Sequence, residues 1–287
     1  MNILTFDIEE WYAYKELGRF EEYDSFLERI LDKLDERGIK GTFFCVGAMA
    51  TEFPYVVKKI DERGHEIGCH SMRHTWLNKM SREEAMDDTR SAVYALDQCV
   101  GKKIRSYRAP AFSIGKENKW AFEVLYECGI RRDASIFPAE RDFGGFSDFG
   151  KKEPSVVYCN RYALKEFPIC TTILLGHEVA FSGGGYFRFF PLSFVRNEMA
   201  KCDYSMTYFH IADLIPERNG VMSRRVYEEY FKEPGTLKAR YLRYIKSNLG
   251  KKGAFNKLMK LIDTTDFVNI EQADNLIDWE KVPSVLL

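Results

Sequence analysis

Residues 53–70 read FPYVVKKIDERGHEIGCH. The stretch opens as a helix, Gly64 closes it, and an apolar run around Ile67 follows as a strand leading to His70. The unit recurs on both sides. Upstream, YDSFLERILDKLDERGIK (23–40) sets Phe26, Ile30, Leu31 and Leu34 at helical spacing, with Gly38 as the stop. GTFFCVG (41–47) then reads as an aromatic, β-branched strand, and NILTF (2–6) as a buried strand running to Asp7. Downstream, SREEAMDDTRSAVYALDQCVG (81–101) opens on Ser81 with Glu84 three residues on, a capping box. IRSYRAP (104–110) is a strand, NKWAFEVLYECGI (118–130) a helix, RRDASI (131–136) a strand, and DYSMTYFH (203–210) a late strand ending at His210. Strands alternating with helices mean βαβ units and a mostly parallel sheet, the α/β class.

The chain has 287 residues, a net charge of −1, and 45% apolar and 15% aromatic residues. That composition supplies a large core and excludes disorder for the bulk of the chain. It gives no sign of a nucleic-acid partner. One domain over residues 1–287 is expected, with 220–287 as an extension packed on it. Seven scattered cysteines form no C-x-x-C pair, which argues against a disulfide framework and for a reducing compartment. MNILTFDIEEWY (1–12) has no basic leader, and no run approaches 18 apolar residues. A cytoplasmic protein is expected, with attachment at the inner membrane surface left open. Residues 224–260 carry eleven Lys/Arg against three Glu. They form either a solvated basic helix pair or a surface for an anionic substrate or lipid headgroups. FGGFSDFG (143–150) and FSGGGYFRFFP (181–191) read as long functional loops.

The polar residues cluster where strands end: Asp7, His70, Arg108, Asp133 and His210. Open sheets and barrels build their sites there. His70 and His74, four apart, share a face if their segment is helical, so both rings can meet one cation. Glu66 precedes the pair, so this is not H-E-x-x-H. In TFDIEEW (5–11), Asp7 and Glu9 point to the same side of an extended chain, one as ligand and the other as base. The alternative there is an acidic helix cap. In SYRAPAFS (106–113), Arg108 suits the task of orienting a carboxylate and keeping it ionised. His210 suits a general acid, and Asp133 a partner that orients it.

Taken in order, Asp-x-Glu, H-S-x-x-H, R-x-P-x-F, Asp-x-Ser and Phe-His resemble the polysaccharide deacetylases, the NodB-homology family of carbohydrate esterases (family 4). DIEEWY, YRAPAFSI, DASIFP, SGGGYFR and YFH are similar to the branch found beside exopolysaccharide and O-antigen assembly, which carries a basic C-terminal extension. The resemblance implies a distorted, incomplete β/α barrel of about seven parallel strands. It implies Asp7 as base, His70 and His74 as metal ligands, Arg108 as holder of the base, His210 as acid and Asp133 as the partner of the acid. This sequence departs from the family in having Ile8 after Asp7. Glu9 is therefore the expected third ligand, with Glu10 as competitor.

The implied reaction is metal-dependent hydrolysis of an N-acetyl group on a sugar or lipid-linked glycan, a cell-surface glycan precursor. Zn²⁺ is the expected metal, with Co²⁺ and Ni²⁺ as alternatives. A backbone N–H near Phe112 or Ser113 is expected to face the oxyanion. Tyr186 and Phe187 are expected to stack on a pyranose, Arg188 to meet an anionic group, and the glycines of SGGGYFR to let backbone approach the sugar. The competing readings are a metal-free, allantoinase-like cyclic amidase, a non-catalytic carbohydrate-binding protein and a membrane-surface scaffold. Oligomeric state is left open.

Overall fold

In the computed structural model the described residues are 1–287 without 10, 17, 140–143, 216–219 and 232; of 11–13, 229–231 and 247 only the backbone is described. The strands are β1 (Asn2–Ile3), β2 (Thr5–Ile8), β3 (Thr42–Cys45), β4 (Glu66–Cys69), β5 (Ser106–Tyr107), β6 (Arg132–Asp133), β7 (Ser155–Cys159), β8 (Tyr162–Glu166), β9 (Thr171–Leu174), β10 (His177–Ala180), β11 (Ser205–Met206), β12 (Phe209–His210) and β13 (Ser284–Leu286).

The central sheet runs β12-β2-β3-β4-β5-β6-β8-β7-β13. From β12 to β8 every neighbour is parallel; β7 turns back antiparallel to β8, and β13 lies parallel to β7. Strands β2, β3 and β4 are buried at every residue. Their core is aromatic: the Phe6 and Phe43 rings stack at 4.8 Å, and Phe209 joins Phe6 at 5.7 Å.

The helices follow the sequence signals. In Phe20–Arg37, Tyr23, Leu27, Ile30, Leu31 and Leu34 face the core, and Gly38 ends the helix at φ 62°. In Arg82–Val100, Ser81 accepts from the Glu84 amide while the Glu84 carboxylate accepts from the Ser81 amide.

The sheet is curled. Strands three apart in a flat sheet lie about 14 Å from one another, yet Arg108, just past β5, bonds Asp7 of β2. Residues following β8 come back to β11: Tyr204 OH donates to the Pro168 carbonyl (2.8 Å), and the Met206 amide contacts Cys170 Sγ (3.3 Å). Among the described residues no ladder closes the sheet, and its order stays open at β12 and β13.

Three further features complete the fold. Residues 155–180 form two hairpins, β7–β8 and β9–β10. The C-terminal region is built into the fold: Phe255 of helix Ala254–Thr264 packs edge-on to Phe26 at 5.1 Å. Glu66, buried in β4, accepts from Thr42 Oγ1 (2.6 Å), Ser106 Oγ (2.5 Å) and the Glu271 amide (2.9 Å), tying helix Ile270–Leu276 to the sheet.

Candidate metal centre and catalytic site

Strand register gathers the polar residues. His210 pairs with Asp7 across β12 and β2. Cys45, Cys69, Tyr107 and Asp133 form one row across β3 to β6. His70 and Arg108 therefore leave the sheet together, their amides bonding the Cys45 and Cys69 carbonyls at 3.0 Å each.

The segment from His70 to His74 is a turn, not a helix. Ser71 and His74 adopt φ of 67° and 61°. Such left-handed residues cost about 1–3 kcal/mol each and persist where the surroundings enforce them. Here the Gly47 and Ala48 amides bond the Ser71 and Met72 carbonyls, and the Met72 amide bonds Asp88 Oδ2 at 3.0 Å. The turn packs so closely that a Cβ on Gly47 would stand 2.6 Å from Met72 Sδ and 2.7 Å from Ala92 Cα. The His70 and His74 rings end 5.1 Å apart without helical geometry.

Glu9, just past β2, meets both rings. Its Oε2 lies 2.9 Å from His70 Nε2 and 2.7 Å from His74 Nε2; Oε1 lies 3.5 Å from His210 Nε2. Burial pushes the Glu9 carboxyl up, but the charges of His74 and His210 and the hydrogen bonds of the two rings hold it well below the usual range. Burial pushes the His74 imidazole down, and the charge of Glu9 more than offsets this. Glu10, the competing carboxylate, lies outside the described residues.

The donor set fits a divalent cation. His70 Nδ1 is 2.7 Å from the Arg108 carbonyl, which only accepts, so Nδ1 carries the hydrogen. With Nδ1 so engaged, Nε2 is the ring nitrogen left facing the Glu9 carboxylate oxygen. Two acceptors at 2.9 Å need a proton or a cation between them. His74 Nε2 is buried and meets the same Glu9 oxygen at 2.7 Å. Ligand atoms of Glu9, His70 and His74 lie within 4.8 Å of one another, and two imidazoles with one carboxylate suit Zn²⁺ or a similar borderline metal. His70 is also oriented from behind by a backbone carbonyl, as ligating histidines are.

Beside this set, Asp7 is locked. Arg108, wholly buried, donates from Nη1 to Asp7 Oδ1 (2.7 Å) and Thr5 Oγ1 (2.8 Å), and from Nε to the Ala134 carbonyl (3.2 Å). Its guanidinium lies 4.3 Å from the Phe44 ring. Asp7 Oδ2 is left facing His210 Nε2 at 3.6 Å.

His210 is held by Asp213, not by Asp133. His210 Nδ1 lies 3.2 Å from Asp213 Oδ2, and Arg188 Nε lies 3.4 Å from Asp213 Oδ1. Burial pushes the Asp213 carboxyl up, but bonding to His210 and the charges of His210 and Arg188 bring it below its ordinary value. Asp133 sits five strands from β12 and is engaged elsewhere. It accepts from Ser135 Oγ (2.6 Å), which in turn accepts from the Ala109 amide (2.8 Å). Asp133 also bonds Glu166, and burial raises both, Asp133 to about 6. Two buried carboxyls that share one proton explain both shifts. The pair braces the Arg108 loop from below.

The expected sugar-binding residues are corrected in the same way. The Phe112 and Ser113 amides bond the Ala109 and Pro110 carbonyls, so neither faces an oxyanion. The Phe112 ring is buried against Phe137 and Tyr208. Arg188 is buried on Asp213 and does not face an anionic ligand. Tyr186 is half-buried against the core, and Phe187 is buried on Phe209 at 4.9 Å. The glycines of residues 183–185 serve close approach to protein: a Cβ on Gly183 would meet the Tyr208 carbonyl oxygen at 2.1 Å. Asp88 and Asp213 escaped the sequence reading. Asp213 had a signal, a carboxylate three residues after His210 at a helix start.

Comparison with known proteins places this geometry. The polysaccharide deacetylase family model matches residues 2–132, and a domain of unknown function, DUF3473, matches 134–275. A Bacillus cereus peptidoglycan-N-acetylglucosamine deacetylase is 35% identical over 99 residues, 34% of this chain and 36% of the relative. A Sinorhizobium fredii chitooligosaccharide deacetylase is 31% identical over 86 residues, 30% of this chain and 40% of the relative. The matches thus span well under half of these relatives. A solved Mycobacterium smegmatis structure, assigned as a polysaccharide deacetylase, covers 100% of this chain and 92% of its own at TM-score 0.63 and 17% identity, a likeness of fold. Residues 2–132, which hold Asp7, Glu9, His70, His74 and Arg108, thus match the polysaccharide deacetylase family, and His210 and Asp213 fall in the second matched segment.

Proposed function

We propose that the chain is a metal-dependent hydrolase removing an N-acetyl group from a sugar in a cell-surface glycan precursor. One observation carries this reading. A carboxylate and two imidazoles converge on one point, beside an arginine-clamped Asp7 that faces His210. The deacetylase activities printed for the relatives point the same way.

A divalent cation on Glu9, His70 and His74, Zn²⁺ by its ligands, supplies polarisation of the acetyl carbonyl and stabilisation of the developing oxyanion. Asp7 Oδ2 takes the proton of the attacking water. Arg108 fixes the other oxygen with a charge-assisted hydrogen bond at 2.7 Å. His210, with Nδ1 turned to Asp213, presents Nε2 to the departing nitrogen and protonates it. Water and amide become acetate and a free amine.

The unit is the whole chain, 1–287, because His210 and Asp213 come from the second matched segment. The seven free thiols suit a reducing, cytoplasmic setting and a nucleotide- or lipid-linked sugar. The test is acetate release across a panel of N-acetyl sugars, with and without chelator. Asp7→Asn is expected to lower kcat at least about a hundredfold. Retention of most activity overturns the mechanism. Full activity in chelator, with no metal by elemental analysis, transfers the chain to the cyclic-amidase reading.

A further inference from the structure

We infer that helix Leu237–Asn248 is a docking face for an anionic lipid surface. The helix carries a solvent-facing stripe: Leu237, Tyr241, Leu242, Ile245 and, just past its end, Leu249. Exposure along it runs from 49% at Leu242 to 66% at Leu237. The spacing keeps these residues on one side over three turns. Lys238 and Lys246, also exposed, lie on the same side. The opposite side faces the protein: Arg240 donates to the Gly235 and Met222 carbonyls, and the Lys246 carbonyl lies 3.4 Å from Arg188 Nη2. The helix is thus anchored with its apolar side outward.

Charge selects the occupant. Residues 224–260 hold eleven Lys/Arg and three Glu in a chain whose net charge is −1, so positive charge is concentrated around this stripe. Apolar side chains flanked by lysines match the boundary between headgroups and acyl chains, where the lysine stems reach back to phosphate. A nucleic acid would leave the leucines and isoleucine unsatisfied. Five half-exposed side chains also fall short of the roughly 800 Å² per partner of a stable dimer. Among the described residues no helix is long and apolar enough to cross a membrane, and the contact inferred is in the interface plane.

The test uses the full chain and sedimentation with vesicles, and it is independent of the deacetylase reading. Binding is expected to phosphatidylcholine vesicles containing phosphatidylglycerol and to weaken as salt rises. With circular dichroism unchanged, L242E/I245E is expected to lower partitioning about tenfold or more, and K238E/K246E to weaken it further at low salt. Absence of vesicle binding, or equal binding by L242E/I245E, overturns the inference. Concentration-dependent self-association lost in L242E/I245E, with no vesicle binding, assigns the stripe to a second copy of the chain.

Discussion

Three histidines stand within ten residues and have separate fates. His65 is a core residue: its Nδ1 accepts from the Gly41 amide, and burial lowers it to about 4. His70 and His74 converge on Glu9. What separates them is the group each ring faces, which spacing alone does not disclose. The same holds for the carboxylates. Asp133 and Asp213 both lie near strand ends, yet only Asp213 touches His210. Asp213→Ala is expected to lower kcat about tenfold to a hundredfold with KM little changed. Asp213→Asn, which still accepts from Nδ1, should recover part of that loss, and D133N should leave kcat within a few fold. Steady-state kinetics of the three variants decides; equal losses in D133N and D213A remove the assignment. The Asp133–Glu166 pair makes a separate prediction for stability. Both folded-state values lie above the unfolded ones, so the pair stabilises the fold below about pH 4. That contribution is lost as pH rises through the raised values, near 6 for Asp133. Glu166→Gln removes the shared proton while its Oε1 can still accept from the Ile136 amide. Urea denaturation at pH 5 and pH 8 should show a flatter pH dependence in the variant, by on the order of 1–3 kcal/mol. An unchanged slope would show that the two carboxyls do not share a proton.

Among the elements, the turn from His70 to His74 depends on its neighbours. Its left-handed residues are held by amides of helix Gly47–Glu52 and by Asp88 of helix Arg82–Val100. Asp88→Ala is therefore expected to weaken Zn²⁺ binding about tenfold to a hundredfold, measured by calorimetry, though Asp88 is no ligand. Unaltered affinity would mean that the turn holds its shape without it. The βα units of residues 1–136 were legible because apolar spacing changes from helical to strand-like at glycine stops such as Gly38 and Gly64. The hairpins at 155–180 were not. β9 and β10 are largely exposed, so they leave no run of buried residues to read. The form of the turn stayed open in the sequence because a spacing of four is compatible with helices and with tight turns alike.

At the scale of the molecule, the legible part was the order of motifs, and the illegible part was the curl of the sheet. Curl lets Arg108 reach Asp7 and brings residues 168–170 back to β11. No local pattern encodes it, since it arises from accumulated twist across strands far apart in the chain. It also decides the history of each molecule during synthesis. β2 is flanked on one side by β3, made soon after it, and on the other by β12 (Phe209–His210), made much later. Thr5 bonds Thr207 across a separation of 202 residues. At ribosomal speeds of about 5–20 residues per second, that separation takes roughly 10–40 s to synthesise. Throughout this interval the edge of β2, the strand that carries Asp7, lacks its β12 partner. A nascent chain of this fold thus carries an open strand edge on β2 until residues 207–210 have been made.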